Sequence, residues 1–320
     1  MKHLYVIGNG FGIHHGRNTD YQDFYKWLQE NEEWDVLTVI DETFGYCDST
    51  WWKHFEQNLA SANTLEIALE ETSGHYPDFG SDDFRDADWY EAEIAVEQRL
   101  DEAYSLVREA FHGWINQLEG GNPDMMVEME LEDSIFLTFN YSDTLESLYK
   151  IPSERILYLH GKANTDDELV LGHGVSLQDL EKEVESPAPS FAIGNEEDDD
   201  YYEEGDDYVT QRAKDAAVSG VYKQRKQVET IIQKNEKWFG NLGEVTCLHF
   251  YGHSFGDVDL PYFRKILSSV NKEKVEIEIN DYCGYNKEII DSFMDSEGFT
   301  EGQGEHCYHV MELTDILIKK

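Results

Sequence analysis

Four short polar segments, each placed directly after an apolar run of strand character, constrain this chain more than any other feature. They are Gly8-Asn9-Gly10-Phe11-Gly12, Thr138-Phe139-Asn140-Tyr141, Leu159-His160-Gly161-Lys162 and Gly252-His253-Ser254 through Asp257. In an open α/β sheet the carboxyl ends of parallel strands meet at one edge, where such folds bind ligands. The pattern therefore predicts that the four segments lie together at that edge. A glycine-rich turn, an asparagine and a histidine meeting there indicate a nucleotide pocket.

The order of the predicted elements indicates an α/β fold with a doubly wound, mainly parallel sheet. Strands are predicted at 3–7, 134–139, 156–159, 169–171, 244–251, 274–280 and 307–313. Helices are predicted from a capping box at 19–22 to about residue 30, and at 258–270 and 286–294. In this interpretation the helix after the glycine turn opens later than in a usual dinucleotide-binding unit.

The sequence predicts a sheet-forming core made of residues 1–50 and 131–320, with a helical insertion at 51–130. Large apolar side chains recur at helical spacing in the insertion, and residues 88–118 form its longest predicted helix. Residues 194–207 are too acidic to pack as a core element, so we expect a mobile loop within the core.

A basic, helix-like run at 209–238 follows the acidic loop. It carries more than a quarter of the 25 basic residues, namely Arg212, Lys214, Lys223, Arg225, Lys226, Lys234 and Lys237. Two interpretations stay open at this point. The run pairs with the acidic loop inside the molecule, or it is a contact for a polyanion.

The net charge of −42, from 67 acidic and 25 basic residues, argues against binding to a phosphate backbone, so nucleic acid is not an expected partner. A solvated acidic surface explains this charge, and a surface that docks a basic partner or mimics nucleic acid is the alternative. No stretch reaches the roughly 20 apolar residues that span a bilayer, and the first residues contain no signal peptide. We therefore expect a cytoplasmic protein without a membrane segment. Its four cysteines form no CxxC pair, which indicates reduced thiols.

Several familiar site patterns are absent from the sequence. The sequence has no HxH spacing, and we expect no metal. The sequence has no GxxxxGK[ST] loop, which argues against a phosphate-loop NTPase. The first turn departs from a dinucleotide fingerprint, because it reads Gly-x-Gly-x-Gly. A tight structural turn is therefore the alternative to a phosphate-binding turn, and structural roles are likewise the alternatives for Asn140 and His160.

Five motifs in order resemble the AbiH family, which is named for bacteriophage abortive infection. They are Val6-Ile7-Gly8-Asn9-Gly10-Phe11, Tyr21-x-x-Phe24, Phe139-Asn140-Tyr141-x-x-Thr144-Leu145-Glu146, Leu159-His160-Gly161-Lys162 and Gly252-His253-Ser254-x-x-Asp257-x-Asp259. Their order and rough spacing match over nearly the whole chain. One position departs from the family, which usually has an aspartate where this chain has Gly12.

The resemblance implies a Rossmann-like core, because AbiH proteins are similar to the sirtuin-like branch of those folds. In that branch a Thr-x-Asn segment and a later His-Gly segment carry NAD chemistry, and Asn140 and His160 fall on these positions. The resemblance thus implies an antiphage effector that hydrolyses NAD at the nicotinamide–ribose bond. Deacylation is not expected, because the four cysteines lack the paired spacing of a zinc module.

Roles follow for individual residues under this hypothesis. Asn140 is expected to hold a water or a ribose hydroxyl, and His160, with a near-neutral pKa, to act as general base or to polarise the ribose. The amides of residues 8–12 are expected to hold the pyrophosphate, assisted by Arg17. The expected ligand-binding set is Gly8, Asn9, Gly10, Phe11, Arg17, Thr138, Tyr141, Gly161, Gly252, His253, Ser254, Asp257 and Asp259.

Three other functions remain open from the sequence. In the first, the pocket senses a nucleotide without turnover, which Gly12 favours. In the second, the chain is a toxin directed at nucleic acid. In the third function, the acidic helical insertion docks a partner. A phage-derived trigger or a partner defence protein is expected, and self-association is left open.

Overall fold

The computed structural model describes residues 2–78, 80–118, 120–184, 208–280, 287–302 and 306–318. The acidic loop predicted at 194–207 lies outside these residues, as does Cys283.

The strands of the described residues form a single sheet in which every neighbouring pair is parallel. They are β1 (Lys2–Ile7), β2 (Ser134–Thr138), β3 (Ile156–Tyr158), β4 (Val245–Tyr251), β5 (Glu276–Asn280), β6 (Thr300–Glu301) and β7 (Cys307–Met311). Their order in the sheet is β3-β2-β1-β4-β5-β7-β6. This is a doubly wound arrangement that reverses direction between β1 and β4, so the predicted Rossmann-like α/β fold is confirmed.

The helices of the described residues cover much of the rest of the chain. They are α1 (Asn9–His14), α2 (Tyr21–Glu30), α3 (Trp34–Phe44), α4 (Ser49–Lys53), α5 (Phe55–Asn58), α6 (Thr64–Gly74), α7 (Glu91–Asn116), α8 (Thr144–Ser147), α9 (Leu177–Val184), α10 (Tyr208–Tyr222), α11 (Val228–Lys234), α12 (Glu236–Phe239), α13 (Leu260–Ser269) and α14 (Lys287–Ser296). None of these helices is long and apolar enough to cross a membrane.

Three sequence predictions of local structure are wrong. A helix, α1, already begins inside the glycine turn rather than after it. The run 209–238 is not one helix but three, and Lys226 lies in the break between α10 and α11. Residues 169–171 form no strand, because the amide of Val170 donates to His160 O and its carbonyl accepts from Tyr141 Oη.

The chain divides into two compact units. The first comprises residues 1–27, 111–171 and 226–320 and contains the whole sheet, and the second comprises residues 28–110 and 172–225. The predicted insertion at 51–130 overlaps the second unit.

In the first unit the sheet is buried on both faces. Leu4 and Val6 of β1 pack into one apolar cluster, while Tyr5 and Ile7 pack into another on the opposite face. Alternate residues of a strand point to opposite faces, so both sets of β1 side chains lie in core. A sheet covered in this way leaves its strand ends as the natural place for polar chemistry.

In the second unit the basic helix α10 packs with acidic partners of α7. The guanidinium of Arg212 is hydrogen-bonded to Glu93 and lies 4.6 Å from the Tyr90 ring centre, and Lys223 Nζ is 3.9 Å from Glu97 Oε1. Two of the basic side chains that suggested a polyanion contact are therefore paired within the protein. These two partners lie on α7, and the acidic loop at 194–207, the partner that the sequence suggested, lies outside the described residues.

Candidate functional site

The four polar segments meet at the carboxyl edge of the sheet, around the point where the strand order reverses. Asn140 Nδ2, after β2, donates to Gly8 O after β1 at 3.0 Å. The amide of Gly10 donates to Gly252 O after β4 at 2.8 Å. The Phe139 ring centre lies 5.2 Å from that of His160 and 4.5 Å from that of His253. The predicted convergence is thus present in the structure.

Two glycines allow the loops after β1 and β4 to touch backbone to backbone. A Cβ on Gly8 would lie 2.5 Å from His253 Cα, and a Cβ on Gly252, whose φ is +68°, would lie 2.2 Å from Phe11 N. The amides of Gly8, Gly10 and Phe11 donate to Tyr251 O, Gly252 O and Gly8 O. The turn therefore has the structural role that the sequence left as its alternative. Each of these three amides donates its hydrogen bond inside the protein, so it is not free to bind a pyrophosphate.

A buried histidine fixes the short helix that follows this turn. His15 Nδ1 donates to Phe11 O at 2.7 Å, and Tyr149 Oη lies 2.8 Å from His15 Nε2, to which it donates. The amide of Val127 in turn donates to Tyr149 Oη. Burial lowers the pKa of His15 to about 4, so the imidazole is neutral and can use one nitrogen as donor and the other as acceptor. Phe11, predicted as a ligand contact, is a core residue within this network.

This network predicts acid-sensitive stability. The pKa of His15 is about 4 in the folded protein and near 6.5 in the unfolded chain, so the unfolded state binds more protons between those values. We expect the free energy of unfolding to fall by about 1.5 kcal/mol between pH 6.5 and pH 5 from this group. Urea denaturation at pH 7, 6 and 5 measures the effect, and the slope should be shallower in His15→Gln. Equal stability of the wild type at pH 7 and pH 5 would contradict it.

Two hydrogen bonds hold Asn140 in place, but neither involves its side-chain oxygen. The backbone N–H of Asn140 donates to Thr138 Oγ1, and its side-chain Nδ2 donates to Gly8 O. Its side-chain Oδ1 is buried and, among the described residues, has no hydrogen-bond partner. A buried unsatisfied carbonyl costs about 1–3 kcal/mol, so it marks a place where a ligand is expected to bind. Thr138 positions this asparagine through its hydroxyl.

His160 lies fully inside the protein at the end of β3. Its ring packs at 5.2 Å from Phe139 and 5.9 Å from Tyr262, and its Nε2 has no hydrogen-bond partner within the described part of the chain. Burial, and then the charge of Lys226, lower the pKa of His160 well below its ordinary value. The near-neutral pKa expected from the sequence is therefore wrong. His160 is a neutral imidazole at physiological pH, which can accept a proton or a hydrogen bond.

Asp259 brings three buried nitrogens together. Its Oδ1 lies 3.6 Å from Lys226 Nζ and 4.0 Å from His160 Nε2, and its Oδ2 lies 3.5 Å from His253 Nε2. The Phe255 amide donates to His253 Nδ1, which leaves the proton of a neutral His253 on Nε2, facing the carboxylate.

Asp259 is held as a carboxylate. Burial alone would raise the pKa of its carboxyl, but Lys226 and His253 outweigh burial and hold that pKa below its usual range. Asp259 also directly precedes α13, and a helix N-terminus favours negative charge. Within the described residues, no group of three or more His, Cys, Asp or Glu side chains is arranged to hold a metal ion.

Several predicted ligand contacts have partners elsewhere in the first unit. The guanidinium of Arg17 is buried and donates to Asp143 Oδ1 at 2.7 Å and Ser147 Oγ at 2.8 Å. The positive charge of Arg17 is therefore compensated by Asp143 and is not available to a phosphate. Asn9 Nδ2 donates to Thr19 O at 2.7 Å, so Asn9 positions the segment that leads into α2.

Of the remaining predicted residues, Gly161 and Tyr141 shape or hold a loop, and Ser254 and Asp257 lie at the surface. Gly161 has a φ of +84°, and a Cβ there would lie 2.5 Å from Glu168 O, so it shapes the loop behind His160. Tyr141 Oη donates to Val170 O of the same loop. Ser254 and Asp257 are exposed, in contrast to the two buried histidines.

Two residues of this edge were missed from the sequence. Lys226 was only one of several bases in a basic run, and no spacing distinguished it. Asn280, at the end of β5, is fully buried, and its Oδ1 has no hydrogen-bond partner among the described residues. Asn280 follows a strand as Asn140 does, so the signal that drew attention to Asn140 was available for it too.

Comparison with known proteins identifies the family of this chain. No curated protein matches the chain. The family model described as "Bacteriophage abortive infection AbiH" matches residues 4–281. That range includes β1 from Leu4 onward, β2 to β5 and every residue placed at the edge above. The chain therefore belongs to the AbiH family of bacteriophage abortive infection proteins.

Proposed function

We propose that this AbiH protein serves abortive infection by hydrolysing NAD at the nicotinamide–ribose bond. One observation carries the proposal. Three polar atoms that are buried and without hydrogen-bond partners in the described structure lie on the segments after β2, β3 and β4, at the edge where a doubly wound sheet reverses, namely Asn140 Oδ1, His160 Nε2 and Asp259 Oδ1, the last two 4.0 Å apart. Folds of this class bind nucleotides at that place.

The residue types suit this reaction. The glycosidic C–N bond breaks, nicotinamide leaves with the electron pair, water adds to the ribose carbon and one proton is released. The leaving group is already cationic and needs no acid, and the transition state resembles an oxocarbenium ion. The Asp259 carboxylate would stabilise the positive charge that develops on the ribose.

Neutral His160 would accept a hydrogen bond and then the proton from the attacking water. Its lowered pKa makes it a weak base, which is sufficient for attack on so electrophilic a carbon. Asn140 Oδ1 would accept a hydrogen bond from the water or from a ribose hydroxyl.

Nicotinamide release from NAD by the purified protein, with and without phage components, tests the proposal. We expect release by the wild type and a loss of about 100-fold or more in Asn140→Ala and in His160→Ala. Ser153→Ala is the control, because Ser153 is exposed and lies just before β3, at the opposite edge of the sheet. Intact NAD in every sample from a protein that is active in defence would refute hydrolysis.

A nucleotide sensor is the second candidate, and Gly12 favours it. The family pattern has an aspartate at this position, which lies close to Asn140. If that carboxylate is needed for turnover, the chain binds a nucleotide and leaves it intact. Calorimetric binding of NAD with no nicotinamide formed would support the sensor over the hydrolase.

A further inference from the structure

The two carboxylate oxygens of Asp259 have different surroundings. Oδ1 lies 3.6 Å from Lys226 Nζ and 4.0 Å from His160 Nε2, and it has no hydrogen-bond partner among the described residues. Oδ2 lies 3.5 Å from His253 Nε2. Oδ1 therefore faces His160, the proposed base, whereas Oδ2 faces His253, to which the proposed reaction gives no part.

The backbone after His253 determines which of its ring nitrogens carries a proton. The amide of Phe255 donates to His253 Nδ1 at 3.0 Å, so this nitrogen is a hydrogen-bond acceptor. A proton on Nδ1 would set two donors against each other, and the ring proton is therefore on Nε2. His253 thus presents an N–H to Asp259 Oδ2 without adding a second cation beside Lys226.

Phe255 holds its amide in this place through a backbone conformation that a bulky residue seldom adopts. Its φ is +56°, in the left-handed region. Its buried ring has its centre 4.9 Å from that of Phe263, 5.3 Å from that of Phe250 and 5.8 Å from that of Phe293. Such strain persists only where packing over-determines it, and it is concentrated at functional sites. Here the apolar core keeps the Phe255 amide against His253 Nδ1.

The ring of His253 is itself enclosed. Its centre lies 4.5 Å from that of Phe139 and 4.7 Å from that of Phe263, both at steep angles to it. On the backbone side, a Cβ on Gly8 would lie 2.5 Å from His253 Cα. An imidazole held on all these sides is suited to fixing a neighbouring group rather than to contacting a ligand.

We propose that His253 is a positioning residue whose Nε2–H fixes Asp259 through Oδ2, so that Oδ1 stays directed at the reacting centre. This role rests on the proposed function, in which the Asp259 carboxylate stabilises the positive charge that develops on the ribose. It replaces the ligand contact that the sequence predicts for His253. Because only the carboxylate would touch the substrate, His253 contributes to the rate of the reaction and not to the binding of NAD.

The position of the ring proton can be measured without any activity. Two-bond proton–nitrogen correlation spectra of the wild type distinguish protonated from unprotonated ring nitrogens, and the loss of a signal in His253→Gln identifies it. We expect the proton on Nε2, with a signal that shifts in Asp259→Asn and stays in place in Asp257→Asn. A proton on Nδ1, alone or in exchange with Nε2, would overturn the proposal even if Asp259→Asn does not fold.

Two substitutions of His253 separate positioning from packing. His253→Phe keeps a ring among aromatic neighbours but removes the donor, whereas His253→Gln retains an N–H near the place of Nε2. In nicotinamide release we expect kcat to fall about 10- to 100-fold in His253→Phe, with KM for NAD changed by less than about 3-fold. His253→Gln should recover part of the lost kcat, which a role in packing alone would not allow.

His173 provides the matched control. It is a buried histidine of the second unit, and its Nδ1 likewise accepts from an amide two residues later, that of Val175, at 3.1 Å. Its Nε2 donates to Val221 O at 3.0 Å instead of facing a carboxylate. His173→Phe and His173→Gln should therefore keep kcat within about 2-fold of the wild type, whatever their melting temperatures. An equal fall of kcat in His173→Phe and His253→Phe would overturn the positioning role.

The results distinguish failure of this role from failure of hydrolysis. Nicotinamide release with an unchanged kcat in His253→Phe overturns the positioning role alone. A loss that appears in KM instead of kcat overturns it as well, and makes His253 a ligand contact. A protein that never releases nicotinamide but carries the His253 proton on Nε2, with a signal that responds to Asp259→Asn, overturns hydrolysis and leaves the fixing of Asp259 by His253 in place.

Discussion

Gly252→Ala is expected to destabilise the first unit by more than about 4 kcal/mol, or to prevent it from folding. Alanine at a φ of +68° carries a penalty of about 1–2 kcal/mol, and the new Cβ would stand 2.2 Å from Phe11 N and 2.6 Å from Gly10 C. These are backbone atoms of a turn fixed by its own hydrogen bonds, so no side-chain rotation relieves the overlap. Urea denaturation followed by tryptophan fluorescence measures the loss.

Gly74→Ala is the matched control for this substitution. Gly74 ends α6, and nothing lies within 4 Å of a Cβ built there. We expect its stability to match that of the wild type to within about 1 kcal/mol. If Gly252→Ala were as stable as Gly74→Ala, the close approach of the loops after β1 and β4 would be disproved.

Asp259→Asn is expected to lower the free energy of unfolding by about 3–5 kcal/mol. The side chain of Lys226 is 1% exposed and lies 3.6 Å from Asp259 Oδ1. Removing the carboxylate takes away a negative charge that lies 3.6 Å from this buried ammonium and 3.5 Å from His253 Nε2, so less of the desolvation cost of these buried groups is offset. Denaturant titration at pH 7 gives the value directly.

Two further variants make this prediction specific. Asp257→Asn removes an exposed carboxylate two residues away and should change stability by less than about 0.5 kcal/mol. Lys226→Met combined with Asp259→Asn should recover part of the loss, because the buried ammonium is removed together with the carboxylate. An Asp259→Asn variant as stable as Asp257→Asn would show that the buried ion pair does not contribute.

The Lys226–Asp259 pair also sets the chemistry of His160. Burial lowers the pKa of His160 most, Lys226 lowers it further, and Asp259 raises it. Burial and the lysine charge together keep the imidazole neutral although a carboxylate lies near it. In the proposed reaction Lys226 touches no substrate. Its role would be to help keep His160 neutral, so that His160 can accept a proton.

Much of the architecture could be predicted from local patterns. Short apolar runs located β1 to β5 and β7 closely, because a strand buried on both faces leaves a continuous apolar signature. The two-residue strand β6 was missed, since two residues carry no periodicity. The false strand at 169–171 is apolar because Leu169 and Leu171 are buried, but its backbone hydrogen bonds go to the loop around His160.

The sequence by itself determined the fold class, the family and the places where polar residues follow strands. Only the tertiary structure decided which of those residues share a site, because the order of strands in the sheet brings residues 8 and 252 into contact across most of the chain. Burial then decided their chemistry. Burial makes His160 neutral, and it places Lys226 Nζ 3.6 Å from Asp259 Oδ1. The buried side-chain oxygens of Asn140 and Thr19 have no hydrogen-bond partners among the described residues. Local spacing carries no information on desolvation, which depends on what packs around a group from distant parts of the chain.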